Sequence, residues 1–528
     1  MKSGFRQSMA WLHTWSGLLV GWVLFAVFLT GTAAYLRPEL TRWMRPELTA
    51  SRPDPVQAAL TAVTRLQALA PQSPNWFIEV AGPREPVTTV FWRAPPAAPG
   101  AAQGAAQGGR GFRQATLDPV SGATLDARDT RGGNFFYRFH FELYAMPVLW
   151  GRWIVSICGM VMLVAILSGI ITHRRIFADF FTFRPNKGQR SWLDGHAVAA
   201  VLALPYHLMI TYTGLTTLMV MTLPWGITAA YGPAGPPAFF AETAPFAPKR
   251  PAGQPAALAD VAPMLAEAVR AWDGAPPGRI TVNNPGDANA SVVILSGPGA
   301  QVAEERTGMA FDGVTGARLA AWGTAGSAVA QTRGVMTGLH IGLFAGPLLR
   351  GLLLLSGLAG TVMVGTGCVL WSVKERQKAE KAGRKGLGLR LVDVLNVAGI
   401  AGLPLAMATF LWANRLLPLH LAGRADWEVK VFFGAWLLAL VHAALRPRRP
   451  AWTEQWGMAA LLYALLPVLN ALTTGRHLGR SLPDGDWGMA GMDLGFLAVG
   501  LGLGAVALAS RAWPVRVRAQ RRAGALRA

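Results

Sequence analysis

Eight apolar runs constrain this chain more than anything else in it: about 9–36, 148–172, 197–222, 342–371, 391–412, 429–445, 455–473 and 490–510. A bilayer core is crossed by roughly 20 apolar residues as a helix. Backbone amides in hydrocarbon must find their partners within the segment, so runs of this kind specify a helical bundle. Composition agrees: 52% hydrophobic, 15% charged and a mean hydropathy of +0.32 fit an integral membrane protein better than a soluble enzyme.

The net charge of +21 lies mostly between the runs. Basic clusters stand at Lys2/Arg6, 173–190, 374–385, 446–450 and the C-terminus, and the segments on the opposite side lack them. This is the positive-inside pattern, so both termini are expected inside and the two long segments outside, with the lipid bilayer and not nucleic acid as the partner of the charge. The expected order is a first span to residue 36, an outside module over 37–147, and spans two and three with a basic loop over 148–222. A second outside module over 223–341, a fourth span over 342–372 and a basic linker over 373–390 follow. Four further spans over 391–511 and a basic tail over 512–528 complete the chain. The first run is too long for a signal peptide and reads as an uncleaved anchor. The insert "APPAAPGAAQGAAQGGRG" (94–111) reads as a disordered loop. Cys158 and Cys368 both fall inside spans, which leaves no disulfide framework, no CxxC site and no iron–sulfur ligand set.

The first four spans read as one unit written twice. "FLTGTAAYL" (28–36) aligns with "TYTGLTTLM" (211–219), and the same offset places His13 on His196. Each is followed by a helix-like stretch (56–70, 256–271), strand-like runs ("NWFIEV", "TTVFWR"; "RITVNN", "SVVILSG") and a hairpin signal, "TLDPVSGATL" (116–125) against "AFDGVTGARL" (310–319). The exit helices match best: "FHFELYAMPVLWGRWIVS" (139–156) against "LHIGLFAGPLLRGLLLLS" (339–356), which places His140 on His340. Both copies start inside, so a pseudo-twofold axis along the membrane normal is implied.

Imidazole among lipid tails needs a partner. Under the repeat, His13 and His196 pair at the inner face and His140 and His340 at the outer face. Opposed imidazoles on facing helices are an arrangement that holds a haem iron by both axial positions. His173 and His207 also compete for those four positions, as ligands, hydrogen-bond donors or proton carriers. His196 and His207 are 11 residues apart, which on one straight helix puts both on one face, about 16 Å apart. Pro205 is expected to kink that span. Arg152 and Arg350 are candidates for haem propionates or for interfacial snorkelling. His420, His442 and His477 read as interfacial or packing residues, and Trp-rich edges such as "HTWSGLLVGW" as an aromatic belt.

These residues resemble the PepSY-associated transmembrane proteins, and within them the siderophore-iron reductases of the FoxB type. The stretches that carry the resemblance are "WLHTWSGLLVGWVLFAVFLTG", "FHFELYAMP", "ITHRRIFADFFTFRPNKGQRSWLDGHAVAAVLALPYHLMITYTG" and "LHIGLFAGPLLRGLLLLSGLAGT", all between residues 11 and 361. The two hairpin motifs look like degenerate ends of PepSY-type modules. The resemblance implies an all-α membrane bundle with two small α+β modules in the periplasm, located in the bacterial inner membrane. It also implies an oxidoreductase that uses two b-type haems to reduce ferric siderophores, with His13, His140, His173, His196, His207 and His340 as the cofactor-binding set. No inside loop is long enough for a nicotinamide or flavin domain, so the electron donor is expected to be a separate cytoplasmic reductase or membrane quinol. The competing class is a non-redox membrane protein, either a histidine-relay transporter or an anchor presenting PepSY modules. The near absence of acidic residues from the first four spans weighs against a transporter.

Overall fold

A computed structural model of the protein describes residues 4–48, 54–93, 112–173, 183–184, 187–243, 246–299, 301–303, 307–323, 326–383 and 386–525, with residue 243 and those past 511 described by backbone alone. The expected disordered loop at 94–111 and most of the basic segment at 173–190 lie outside the described residues.

In chain order, α1 (Phe5–Ala34) and the short α2 (Arg37–Met44) lead to α3 (Pro55–Leu69) and strands β1 (Asn75–Glu79), β2 (Thr88–Arg93) and β3 (Phe112–Leu117). Then come α4 (Asn134–Glu142), α5 (Val148–Thr172), α6 (Gln189–Leu202) and α7 (Leu204–Thr222). Helices α8 (Trp225–Tyr231), α9 (Gly235–Thr243) and α10 (Ala262–Ala271) precede β4 (Pro277–Asn283), β5 (Ser291–Ser296), β6 (Gly308–Asp312) and β7 (Arg318–Trp322). The rest is helical: α11 (Ala328–Ile341), α12 (Pro347–Lys381), α13 (Leu387–Asn396), α14 (Gly402–Leu416), α15 (Arg424–Leu445), α16 (Arg448–Thr473), α17 (Leu478–Ser481) and α18 (Trp487–Ala525). The chain divides into two compact units, Met1–Pro46 with Arg128–Leu215 and Pro347–Ala528, and Glu47–Ala127 with Thr216–Gly346. Residues 37–46 and 128–147, expected in the first outside module, belong to the helical unit instead.

Among the described residues, seven helices of the helical unit are long and apolar enough to cross a membrane: α1, α5, α12, the α13–α14 run, α15, α16 and α18. The pair α6 and α7, bent by 68°, passes the same test together and makes an eighth crossing if the two form one span. The kink expected from Pro205 is thus a full break: the proline ring has no amide to donate and clashes with the preceding turn. His196 stands on α6 and His207 on α7, so the expected common helix face for these two rings is lost. Helix α12 lies close along α1 because glycines meet larger groups there: Gly21 faces Cys368 Sγ, Gly360 faces Phe28 and Gly357 faces Thr32. Between α13 and α14 the backbone makes a π turn over Val397–Ala401. Such a turn breaks the regular ladder, and here the Trp436 indole donates to the Ala398 carbonyl at 2.9 Å.

The second unit is built on one seven-stranded antiparallel sheet, order β3-β2-β1-β4-β5-β6-β7. The segments expected to form two small modules, α3 with β1–β3 and α10 with β4–β7, share this one sheet, because β1 pairs with β4. The two strands meet with Ile78 opposite Ile280, both fully buried. The pairing satisfies edge amides that either module alone would expose. Burial alternates along β1, as a one-sided sheet requires. Trp76, Ile78, Val90, Ile280, Val292 and Phe311 pack with Leu66 of α3 and Leu265 of α10 in one core.

Candidate functional site

Helices α1 and α6 bring His13 and His196 together: their ring centroids are 6.2 Å apart, with the ring planes at 63°. Each ring is held in the same way. The His13 Nδ1 donates to the Ala165 carbonyl at 2.8 Å, and the ring lies over Gly169 one turn later on α5, where a Cβ would stand 3.1 Å from its Cε1. The His196 Nδ1 donates to the Met363 carbonyl at 2.8 Å and lies over Gly367 of α12. A carbonyl that takes the Nδ1 proton fixes the tautomer and leaves Nε2 as the ring's acceptor nitrogen. Two nitrogens bound to opposite sides of one metal, each about 2 Å from it, place their ring centroids about 6 Å apart. The residues present therefore fit a metal held by two imidazoles. Among the described residues no group of three or more His, Cys, Asp or Glu could hold a metal ion.

His140 repeats the arrangement on α4. Its Nδ1 is 2.7 Å from the Val27 carbonyl of α1, and its ring lies over Gly31, where a Cβ would come within 2.5 Å of Nδ1. His207 is fully buried against the same turn of α1, its ring 6.1 Å from that of Phe28 and beside Gly360 of α12. Its ring nitrogens lie near the Ala200 and Ser356 backbone without meeting strict hydrogen-bond geometry among the described residues. The neighbouring Tyr206 hydroxyl lies 3.2 Å from that of Tyr35, one turn beyond Gly31. His173 caps the C-terminus of α5, four residues after Gly169. His340 stands in the last turn of α11, in the sheet unit.

Other expectations resolve differently. Arg152 forms an ion pair at 2.6 Å with Glu142, which also binds Arg138 at 2.8 Å, and Arg350 is 3.4 Å from Glu39. Both guanidinium groups face protein carboxylates. In the edge read as an aromatic belt, the Trp22 indole turns inward and donates to Asn396 at 2.9 Å, while Trp15 packs on Trp371 with ring centroids 6.1 Å apart. His442 is bound to Glu454 at 2.8 Å and to Gln455 at 3.2 Å.

Sequence reasoning missed a buried polar network in the last helices. Arg424 and Glu428, one turn apart on α15 and with no exposed surface, pair at 2.7 Å. Glu428 also accepts from Asn414 at 2.8 Å and from Thr130 at 2.6 Å. Arg415 lies 3.7 Å above the Trp43 ring and donates to Asn470 at 3.0 Å, and Trp43 donates to Asp493 at 2.8 Å. The signal was present in "NRLLPLHLAGRADWE": an arginine ending an apolar run, and an Arg–Glu pair at helical spacing.

A family model described as the PepSY-associated TM region matches residues 10–374. Over 369 residues, 66% of this chain and 88% of the other, the sequence is 28% identical to the uncharacterized protein PA4219 of Pseudomonas aeruginosa. The six histidines singled out above all fall within the matched family region, and the helices from α13 onward fall beyond it.

Proposed function

The chain belongs to the PepSY-associated transmembrane family, and for this member we propose that it carries electrons across the bacterial inner membrane to reduce ferric siderophores. The observation that carries the reading is the His13–His196 pair, two imidazoles 6.2 Å apart on facing helices, each tied by Nδ1 to a backbone carbonyl. On this reading His13 and His196 hold one b-type haem near the inner face. His140 and His340, aligned in the sequence repeat, are candidate ligands of a second haem, and His207 and His173 are the alternative ligands or hydrogen-bond partners. The bound group supplies one-electron chemistry. The chain's own residues orient and insulate it: carbonyls fix the tautomers, and glycines let the rings lie against neighbouring helices.

The substrate is an Fe(III) chelate that gains one electron. Fe(II) is a softer, less charged ion for hard oxygen donors, so its affinity drops and iron is released. The basic clusters support termini inside and the sheet unit in the periplasm, where it would form the docking surface. The donor on the inner side would be a separate reductase or membrane quinol. The duplication behind the symmetric pairs finds support in the hairpins. Asp118 Oδ1 accepts from the Val120 and Ser121 amides at 3.1 and 2.8 Å, and Asp312 Oδ1 does the same for Val314 and Thr315, both at 2.9 Å.

The test is the absorption spectrum of protein purified from haem-replete cells. Two b-type haems per chain are expected, with His13→Ala and His196→Ala each losing one and keeping the other. A colourless protein, or His13 and His196 variants with full haem content, overturns the reading.

A further inference from the structure

We infer that the C-terminal helices α14 and α15 are the support that positions His140, gripping α4 on a different face from the one that meets α1. A helix of nine residues is too short to persist without tertiary contacts, so the orientation of His140 depends on what grips α4. On one side His140 reaches the Val27 carbonyl. About 100° and 140° around the helix from His140, Phe139 and Phe135, both almost without exposure, face α14 and α15. Phe135 stacks on Phe410 of α14 at 4.7 Å and meets Phe432 of α15 at 4.9 Å, and Phe139 meets Phe432 at 5.7 Å.

The start of α4 is held by a separate chain of hydrogen bonds. Glu428 Oε2 accepts from the Thr130 hydroxyl at 2.6 Å and the Arg131 amide at 3.3 Å, and Thr130 Oγ1 accepts from the Gly132 amide at 3.0 Å. Arg424 compensates the buried carboxylate and donates to the Asp129 carbonyl at 2.9 Å. A fully buried ion pair is weak evidence for stability, because desolvation offsets its attraction. What this one fixes is the loop 129–133 that starts α4. Glu428 and Phe410 are therefore positioning residues for His140.

The inference rests on the proposed function only for what His140 binds, and the experiment separates the two. Hydrogen exchange and the low-temperature electron paramagnetic resonance of the oxidised haems are measured on full-length wild type, Glu428→Gln and Phe410→Leu. In both variants the amides of α4 should exchange about tenfold faster while those of α1 at 5–20 are unchanged. One of the two low-spin haem signals should shift and the other stay, with total haem retained. Should Glu428→Gln fail to fold, Phe410→Leu decides. Unchanged α4 exchange, faster α4 exchange with both signals unmoved, or equal loosening of α1 and α4 overturns the positioning role. If wild type carries no haem signal, the electron-transfer reading fails, and α4 exchange alone decides the support.

Discussion

At the scale of single residues, the recurring device is an imidazole seated over a glycine one turn past the carbonyl it bonds. The three seats differ in tightness, and that difference is testable. A methyl at Gly31 would stand 2.5 Å from the His140 Nδ1, at Gly169 3.1 Å from His13, and at Gly367 3.3 Å from His196. Contacts at the first distance force a rearrangement, while the last needs the ring to yield only a few tenths of an ångström. Thermal unfolding of the three Gly→Ala variants in detergent should therefore rank Gly31 as most damaging, by about 1–3 kcal/mol, with Gly367 close to wild type. A Gly367→Ala protein less stable than Gly31→Ala contradicts the seats.

At the scale of elements, the two Asp-bracketed hairpins finish the same job in each half of the sheet. Gly122 and Gly316 take positive φ, 69° and 75°, where a side chain would be strained. Backbone amides, first those of Ser121 and Thr315, hold the Asp118 and Asp312 carboxyls below the usual carboxylate range. A depressed folded-state value means the stabilisation is complete above the unfolded value of about 3.9 and disappears as the pH falls through the depressed one. A double Asp118→Asn, Asp312→Asn variant keeps an acceptor oxygen but cannot titrate. It should be less stable by about 1 kcal/mol at neutral pH, and the gap should close under acid titration followed by tryptophan fluorescence. A constant gap at all pH values would mean that the carboxylates' charge plays no part.

For the whole molecule, the arrangement of basic segments makes topology the most direct test. Reporter fusions after Ala50 and Pro236 should be active only outside the cytoplasm, and those after Gln189 and Lys381 only inside. A swap at any of the four breaks the assignment of faces. At the same scale the helices past the family match pack against the first third of the chain: Trp43, Thr130 and Phe135 have partners in Asp493, Glu428 and Phe410.

The sequence by itself determined what local pattern can carry. Apolar length identified the crossing helices, alternation found β1, β2, β4 and β5, and the Asp–Gly bracket located both hairpins. Each of these is decided by residues close in the chain. The closeness of His13 and His196 was also expected, from the alignment of "FLTGTAAYL" with "TYTGLTTLM" that places one on the other. Only the tertiary structure decided the rest. Pro205 announced a kink, but its angle depends on what α6 and α7 pack against, and the 68° break separates His196 from His207. β1 pairs with β4 across 200 residues, which no strand signal specifies. Arg152, Arg350 and Trp22 found protein partners that nothing in their own segments names, because a buried donor takes whichever acceptor the packing brings to it.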